Sequence, residues 1–97
     1  MTTKITLYIG SPKKTKKINN KYIKKAEGIL KKYWDGFTLI KHKGYYEGEI
    51  EESISVVIVV LQLSLKNLED CINELKIKLA QRSIGYEIKS DVDFTLK

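Results

Sequence analysis

The chain of 97 residues predicts an α+β fold of the ferredoxin-like type, β-α-β-β-α-β, with two helices on one face of an antiparallel sheet. Three observations predict it. Two segments carry apolar residues at spacings of three and four; others alternate apolar and polar residues or are rich in β-branched ones; and Gly, Pro, Asn and Ser punctuate the boundaries in the order strand, helix, strand, strand, helix, strand. A chain of this length buries roughly 60–65% of its unfolded surface, enough for one core. A single domain over residues 1–97 is therefore expected, with no linker or internal repeat to divide it.

The elements follow in order. Residues 4–9 alternate, with Ile5, Leu7 and Ile9 on one side and Thr6 and Tyr8 on the other, and Gly10, Ser11 and Pro12 end the strand. Ile18, Tyr22, Ala26, Ile29 or Leu30, and Tyr33 mark a helix, with Asn19 as its N-cap and Ile18 and Ile23 as a hydrophobic staple. Gly36 is expected to supply a left-handed C-cap. Residues 37–42 form a second strand, and a turn or bulge is expected at Lys43-Gly44, before Tyr45 and Tyr46. Residues 53–63 are the strongest strand. Leu65, Leu68, Ile72, Leu75 and Leu79 make a second amphipathic helix capped by Ser64 or Asn67, and residues 83–88 close the sheet. Val92, Phe94 and Leu96 alternate and suggest a fifth, C-terminal strand.

The third strand is apolar on both sides. Ile54, Val56, Ile58 and Val60 form one set, and Val57, Val59, Leu61 and Leu63 the other. Two helices hide one set only. The second set is expected to be an oligomer interface, sheltered by another copy of the chain, unless long flanking side chains cover it.

Composition narrows the function. Net charge is +6, but residues 1–46 carry 12 Lys against Glu27 and Asp35, while residues 47–97 are net acidic. That polarity suggests an anionic partner for the first half. Of the 18 basic residues only Arg82 is Arg, which argues against bidentate reading of bases or phosphates and matches an AT-rich coding sequence as well. Lys21, Lys24, Lys25, Lys31 and Lys32 lie opposite the apolar stripe of the first helix. Without interleaved exposed aromatics they read as a wet helix face, so nucleic acid is not the favoured partner. No apolar run approaches the length of a membrane span, and no signal peptide is visible, so a cytoplasmic location is expected.

The loop of Ser11, Lys13, Lys14, Lys16 and Lys17 joins a strand to a helix N-terminus, where amides, dipole and ammonium groups converge on an anion. It lacks the second Gly and the Gly-Lys-Ser/Thr ending of a Walker loop, and a solvated lysine loop gives the same pattern. Tyr45 and Tyr46, beside Gly44 and Gly48, offer aromatic contact to a planar ligand. These seven residues are the predicted ligand-binding set.

No catalytic set is expected. His42 reads as a surface residue at a strand end, and Glu47, Glu49, Glu51 and Glu52 as gatekeepers beside an aggregation-prone strand. Cys71 is the single Cys, and Glu69 and Asp70 beside it should raise its pKa. No triad, metal-ligand spacing or cofactor motif is present in the sequence, so a non-enzymatic chain is expected.

Leu7-Tyr8-Ile9-Gly10, Asp35-Gly36-Phe37-Thr38-Leu39, Lys43-Gly44-Tyr45, the segment 49–61 and Gln81-Arg82-Ser83 together resemble a family of small uncharacterised bacterial and phage proteins, grouped as a domain of unknown function. The resemblance spans most of the chain, implies the ferredoxin-like fold and implies no reaction; the Lys-rich loop after Gly10 departs from it. Analogy with small phage proteins gives the first expectation, an oligomeric module that sequesters an anionic ligand such as a cyclic nucleotide immune signal in the host cytoplasm. Two others stand beside it: an inhibitor of a host defence protein, and a small dimeric enzyme with His42 as base.

Overall fold

The computed structural model describes residues 2–90. Its elements are β1 (Thr3–Gly10), α1 (Asn20–Tyr33), β2 (Thr38–Tyr46), β3 (Glu49–Val60), α2 (Leu65–Lys78) and β4 (Gly85–Ser90). The four strands form one antiparallel sheet in the order β2-β3-β1-β4, the ferredoxin-like arrangement. The expected fifth strand at Val92, Phe94 and Leu96 lies outside the described residues.

Pairing of β1 with β3 sets the core. Ile5, Leu7 and Ile9 stand opposite Ile58, Val56 and Ile54, and directly opposed residues share a face. All six are almost completely buried against Ala26, Ile29 and Leu30 of α1 and Leu68, Cys71 and Leu75 of α2. Burial of each such aliphatic side chain contributes about 1.5–3 kcal/mol. A one-residue slip of either strand would turn its three to the open face, so the register is strongly specified.

The second side of β3 is more polar than expected. Ser53 and Ser55 share it with Val57 and Val59, and Ile40 of β2 stands opposite Ser55. β3 ends at Val60, so the alternation does not reach the last two residues of the predicted interface: Leu61 is 81% exposed beyond the strand, and Leu63 packs against the helical core.

The β2–β3 turn is also displaced from its expected place. Gly44 sits within β2, paired with Glu51, and the turn is Glu47-Gly48, flanked by the pair Tyr46 and Glu49. Both turn residues are left-handed (φ 51° and 80°), as a two-residue hairpin following the twist of its strands requires. Gly48 adopts that conformation without a Cβ penalty.

Helix starts follow the sequence and helix ends do not. Asn19 Oδ1 accepts the Tyr22 N–H (2.9 Å) and Ser64 Oγ accepts the Asn67 N–H (3.2 Å), each satisfying an orphan amide. Asn67, the other candidate cap, instead donates through Nδ2 to the Tyr33 carbonyl (2.9 Å), tying the start of α2 to the end of α1. Gly36 is not a left-handed cap. The chain leaves α1 in extended conformation at Trp34, which carries the indole into the core, where Nε1–H donates to Cys71 Sγ (3.3 Å). α2 closes with Gln81 N–H on the Lys76 carbonyl (2.9 Å) and Ala80 N–H on that of Ile77, with Ala80 at φ 53°. This is a Schellman ending with alanine where glycine is usual.

Ala80 therefore carries a steric cost that glycine avoids, partly offset by glycine's greater unfolded-state entropy. Ala80→Gly is expected to stabilise the fold by roughly 0.5–1 kcal/mol, raising the melting temperature by a few degrees in calorimetry.

Candidate functional site

β3 is longer than its neighbour β1, and the surplus builds a cleft. β1 ends at Gly10 opposite Ser53, so the first residues of β3 lack a strand on that side. The loop of residues 11–19 takes the place of one. Lys16 turns back through a left-handed conformation (φ 54°), its N–H bonds the Pro12 carbonyl (2.9 Å), and its own carbonyl accepts the Glu52 N–H (3.0 Å). The Glu52 carboxylate completes the seam: Oε1 accepts the Ile18 N–H (2.7 Å) and Oε2 pairs with Lys41 Nζ (3.2 Å). The Ile18 amide, with Lys41 and Lys43 beside it, holds the Glu52 carboxyl below the usual range, against a smaller opposing effect of desolvation.

Between this loop and the hairpin opens a cleft of about 600 Å³. Ile18 and Ile50 give it apolar surface, Lys17, Lys41 and Lys43 give it positive charge, and Glu52 contributes a carboxylate already engaged. Alternation in the strands sorts the hairpin. Lys41, Lys43 and Tyr45 share the cleft side with Ile50 and Glu52; His42, Gly44 and Tyr46 share the other with Glu49 and Glu51. The hairpin is cationic on one face and anionic on the other.

The predicted ligand-binding residues are distributed unevenly around this cleft. Lys17 lines it, and Tyr45, 74% exposed, continues its β2 wall. Lys13 and Lys14 lie exposed on the loop's turn. Lys16 pairs with Glu49, and Tyr46 lies beside that pair on the opposite face. Ser11 is buried, and its carbonyl accepts Gln81 Nε2–H (3.1 Å), which also reaches the Tyr22 hydroxyl (3.2 Å). The Tyr22 hydroxyl donates in turn to the Gly10 carbonyl (2.7 Å), and Gly10 leaves room for Gln81: a Cβ there would stand 3.2 Å from Oε1. Nor is the start of α1 an open anion cradle, since the Ile18 amide already holds Glu52. Lys41, Lys43, Ile50 and Glu52 were not singled out as ligand contacts in the sequence; the signal for them is the alternation Lys41-His42-Lys43-Gly44-Tyr45.

The open face of the sheet holds a second group of polar side chains. His42 is in mid-strand, not at a strand end, with Nε2 2.6 Å from Ser55 Oγ in hydrogen-bond contact. Across β1, the Tyr8 hydroxyl donates to Glu87, which raises its pKa. Cys71 is fully buried, and burial pushes its thiol up, against the Trp34 hydrogen bond; the carboxylate that adds to the shift is Glu74, not the adjacent Glu69 and Asp70. On the helical layer, Tyr33 donates to Glu74 (2.7 Å), which pushes the phenol up to about 12, and Glu74 also takes Lys32 (2.5 Å). Among the described residues no group of three His, Cys, Asp or Glu side chains could hold a metal ion, and no helix is long and apolar enough to cross a membrane.

No family model and no curated protein matches this chain. Solved structures share its fold. A phage SAM lyase in complex with S-methyl-5'-thioadenosine superposes with a TM-score of 0.68 at 19% identity, over 91% of this chain and 80% of that one. A DUF3240 family protein from Shewanella baltica gives 0.63 at 14% identity, over 98% and 97%. The periplasmic divalent cation tolerance protein CutA from Archaeoglobus fulgidus gives 0.50 at 16% identity, over 97% and 88%. At these identities the likeness is one of fold, and it agrees with the resemblance to small uncharacterised α+β domains. It also corrects the expectation of a non-enzymatic chain. The same architecture carries a lyase, so the lack of a familiar catalytic motif in the sequence does not exclude chemistry.

Glu52 gives the site a pH signature. Its folded pKa lies below the unfolded value of about 4.3, so its contribution is complete above that value and is lost as pH falls through the folded one. Glu52→Gln is expected to lower the melting temperature at neutral pH, and the gap from the parent chain should close below about pH 4.

Proposed function

We propose that this chain is a phage-encoded, homo-oligomeric binding protein of the host cytoplasm that takes a phosphate-bearing nucleotide in the cleft between the loop of residues 11–19 and the β2–β3 hairpin. One observation carries the reading: Lys17, Lys41 and Lys43 line a cleft whose exposed apolar surface is Ile50, and the carboxylate among them, Glu52, is held by Lys41 and a backbone amide, which leaves Lys17 and Lys43 to face a ligand. Ammonium groups favour phosphate, the apolar surface favours a base or sugar, and the exposed Tyr45 ring extends it.

The phage SAM lyase with its bound thioadenosine supports a nucleoside as the ligand class. The charge of the cleft separates the two proteins' preferences. S-adenosylmethionine carries a sulfonium and a net positive charge, which the three lysines oppose, whereas a nucleotide's phosphate complements them. Oligomerisation is supported by the short apolar strip of Val57, Val59 and Ile40 on the open face.

Thermal-shift and calorimetric titrations with AMP, ATP, cyclic dinucleotides and S-methyl-5'-thioadenosine test the ligand. A phosphate-bearing ligand at a hundredfold excess over its Kd should stabilise the fold by about 2.7 kcal/mol, and Lys43→Glu should weaken binding tenfold or more. Equal binding of the uncharged thioadenosine, or no binding of any nucleotide, would count against the proposal, and the latter would favour a host protein as partner. Light scattering tests the assembly: a multiple of 11.2 kDa is expected, and Val57→Lys should reduce it to the monomer. A monomeric parent chain would remove the oligomer.

A further inference from the structure

We infer that the phosphate-bearing ligand of this cleft is a single-stranded nucleic acid, an inference that rests on the anion-binding reading above. Three features carry it. The first is linear spacing: Lys41, Lys43 and Tyr45 project from one face of the edge strand β2, and alternate residues on a strand are about 6.6–6.8 Å apart, comparable to successive phosphates of an extended strand. The second is the aromatic group. Tyr45 is 74% exposed, stands beside the half-exposed Ile50 on the same face, and can stack on a base in any sequence. The third is the sorting of charge. Glu49 and Glu51 point to the opposite face of the hairpin, Lys17 flanks the track from the loop, and Glu52, the carboxylate on the track's own face, is paired with Lys41.

Together these make a cationic groove with an aromatic platform, the arrangement that tracks a backbone and stacks bases without reading them. A mononucleotide would meet only part of it. The basic face of α1 lacks interleaved aromatics; the edge strand β2 instead carries Tyr45 in line with Lys41 and Lys43. Duplex recognition is not favoured, because Lys predominates and Arg82 is the single Arg available for bidentate base contacts.

The test is fluorescence anisotropy with a labelled ten-nucleotide oligothymidylate, competed by thymidine monophosphate and by a duplex of equal length. The oligonucleotide should bind at least tenfold more tightly than the mononucleotide. Engagement of Lys17 and Lys43, with Lys41 already paired to Glu52, should give a log–log salt slope of about −1.4, and Lys43→Gln should shallow it by about 0.7. Tyr45→Ala should weaken binding about tenfold, whereas Tyr46→Ala, on the anionic face, should leave it unchanged. Both tyrosines are largely exposed, and circular dichroism verifies that each variant folds. An oligonucleotide that binds no better than the mononucleotide, a duplex that binds more tightly, or equal effects of the two tyrosines would overturn the inference and leave the nucleotide reading standing. Binding of neither probe would remove both.

Discussion

The register of β1 on β3 is the constraint from which the rest of the molecule follows. It aligns six aliphatic side chains beneath two helices, and it ends β1 at Gly10 while β3 runs on to Glu49. Backbone amides left without a strand need partners. Glu52 answers that need in three ways at once: its N–H bonds the Lys16 carbonyl, its carboxylate holds the Ile18 amide, and the same carboxylate fixes Lys41. The loop is thereby bound to the edge of β3 in place of the missing length of β1, and the space between loop and hairpin becomes a defined cleft.

The two-sided nature of a strand then does the electrostatic sorting. Two lysines at alternate positions of β2 emerge on the cleft side, and two glutamates at alternate positions of β3 emerge on the other. In bulk composition these charges nearly cancel; in the hairpin they are separated by the thickness of a sheet. The cleft side of the hairpin thus carries Lys41 and Lys43 against Glu52, and the other side carries Glu49 and Glu51. Lys16 bridges to Glu49 around the hairpin, which draws one lysine of the basic loop away from the cleft and leaves Lys17 facing it.

Elsewhere the fold accepts small local costs in exchange for packing. Trp34 abandons the helical conformation so that its indole can close the core and donate to Cys71, and that choice removes any need for a left-handed Gly36. Ala80 occupies a conformation that glycine holds more easily, because it brings Gln81 to Ser11 and Tyr22 across the end of the sheet. The open face, with His42 tethered to Ser55 and Tyr8 to Glu87, keeps ordered polar chemistry on an architecture that a phage lyase also uses.

By itself, the sequence determined the fold class, the order of the elements, the start of α1 and the identity of the core. These depend on local periodicity and short capping patterns, which a linear reading captures: Ile5, Leu7 and Ile9 declare their face by alternation, and Asn19 declares itself a cap by side-chain chemistry, whereas the start of α2 stayed open between Ser64 and Asn67 until the fold gave the cap to Ser64. Tertiary structure decided the rest. Which lysines matter depends on which carboxylates stand beside them, and Lys16 and Lys17, adjacent in sequence, part company because Lys16 pairs with Glu49 on the far face of the hairpin while Lys17 lines the cleft. Where β2 turns and which tyrosine faces the cleft were likewise set by strand register, and Leu63 meets the core because β3 has already ended at Val60. Register is a property of pairs of segments, and one residue of difference exchanges the two faces.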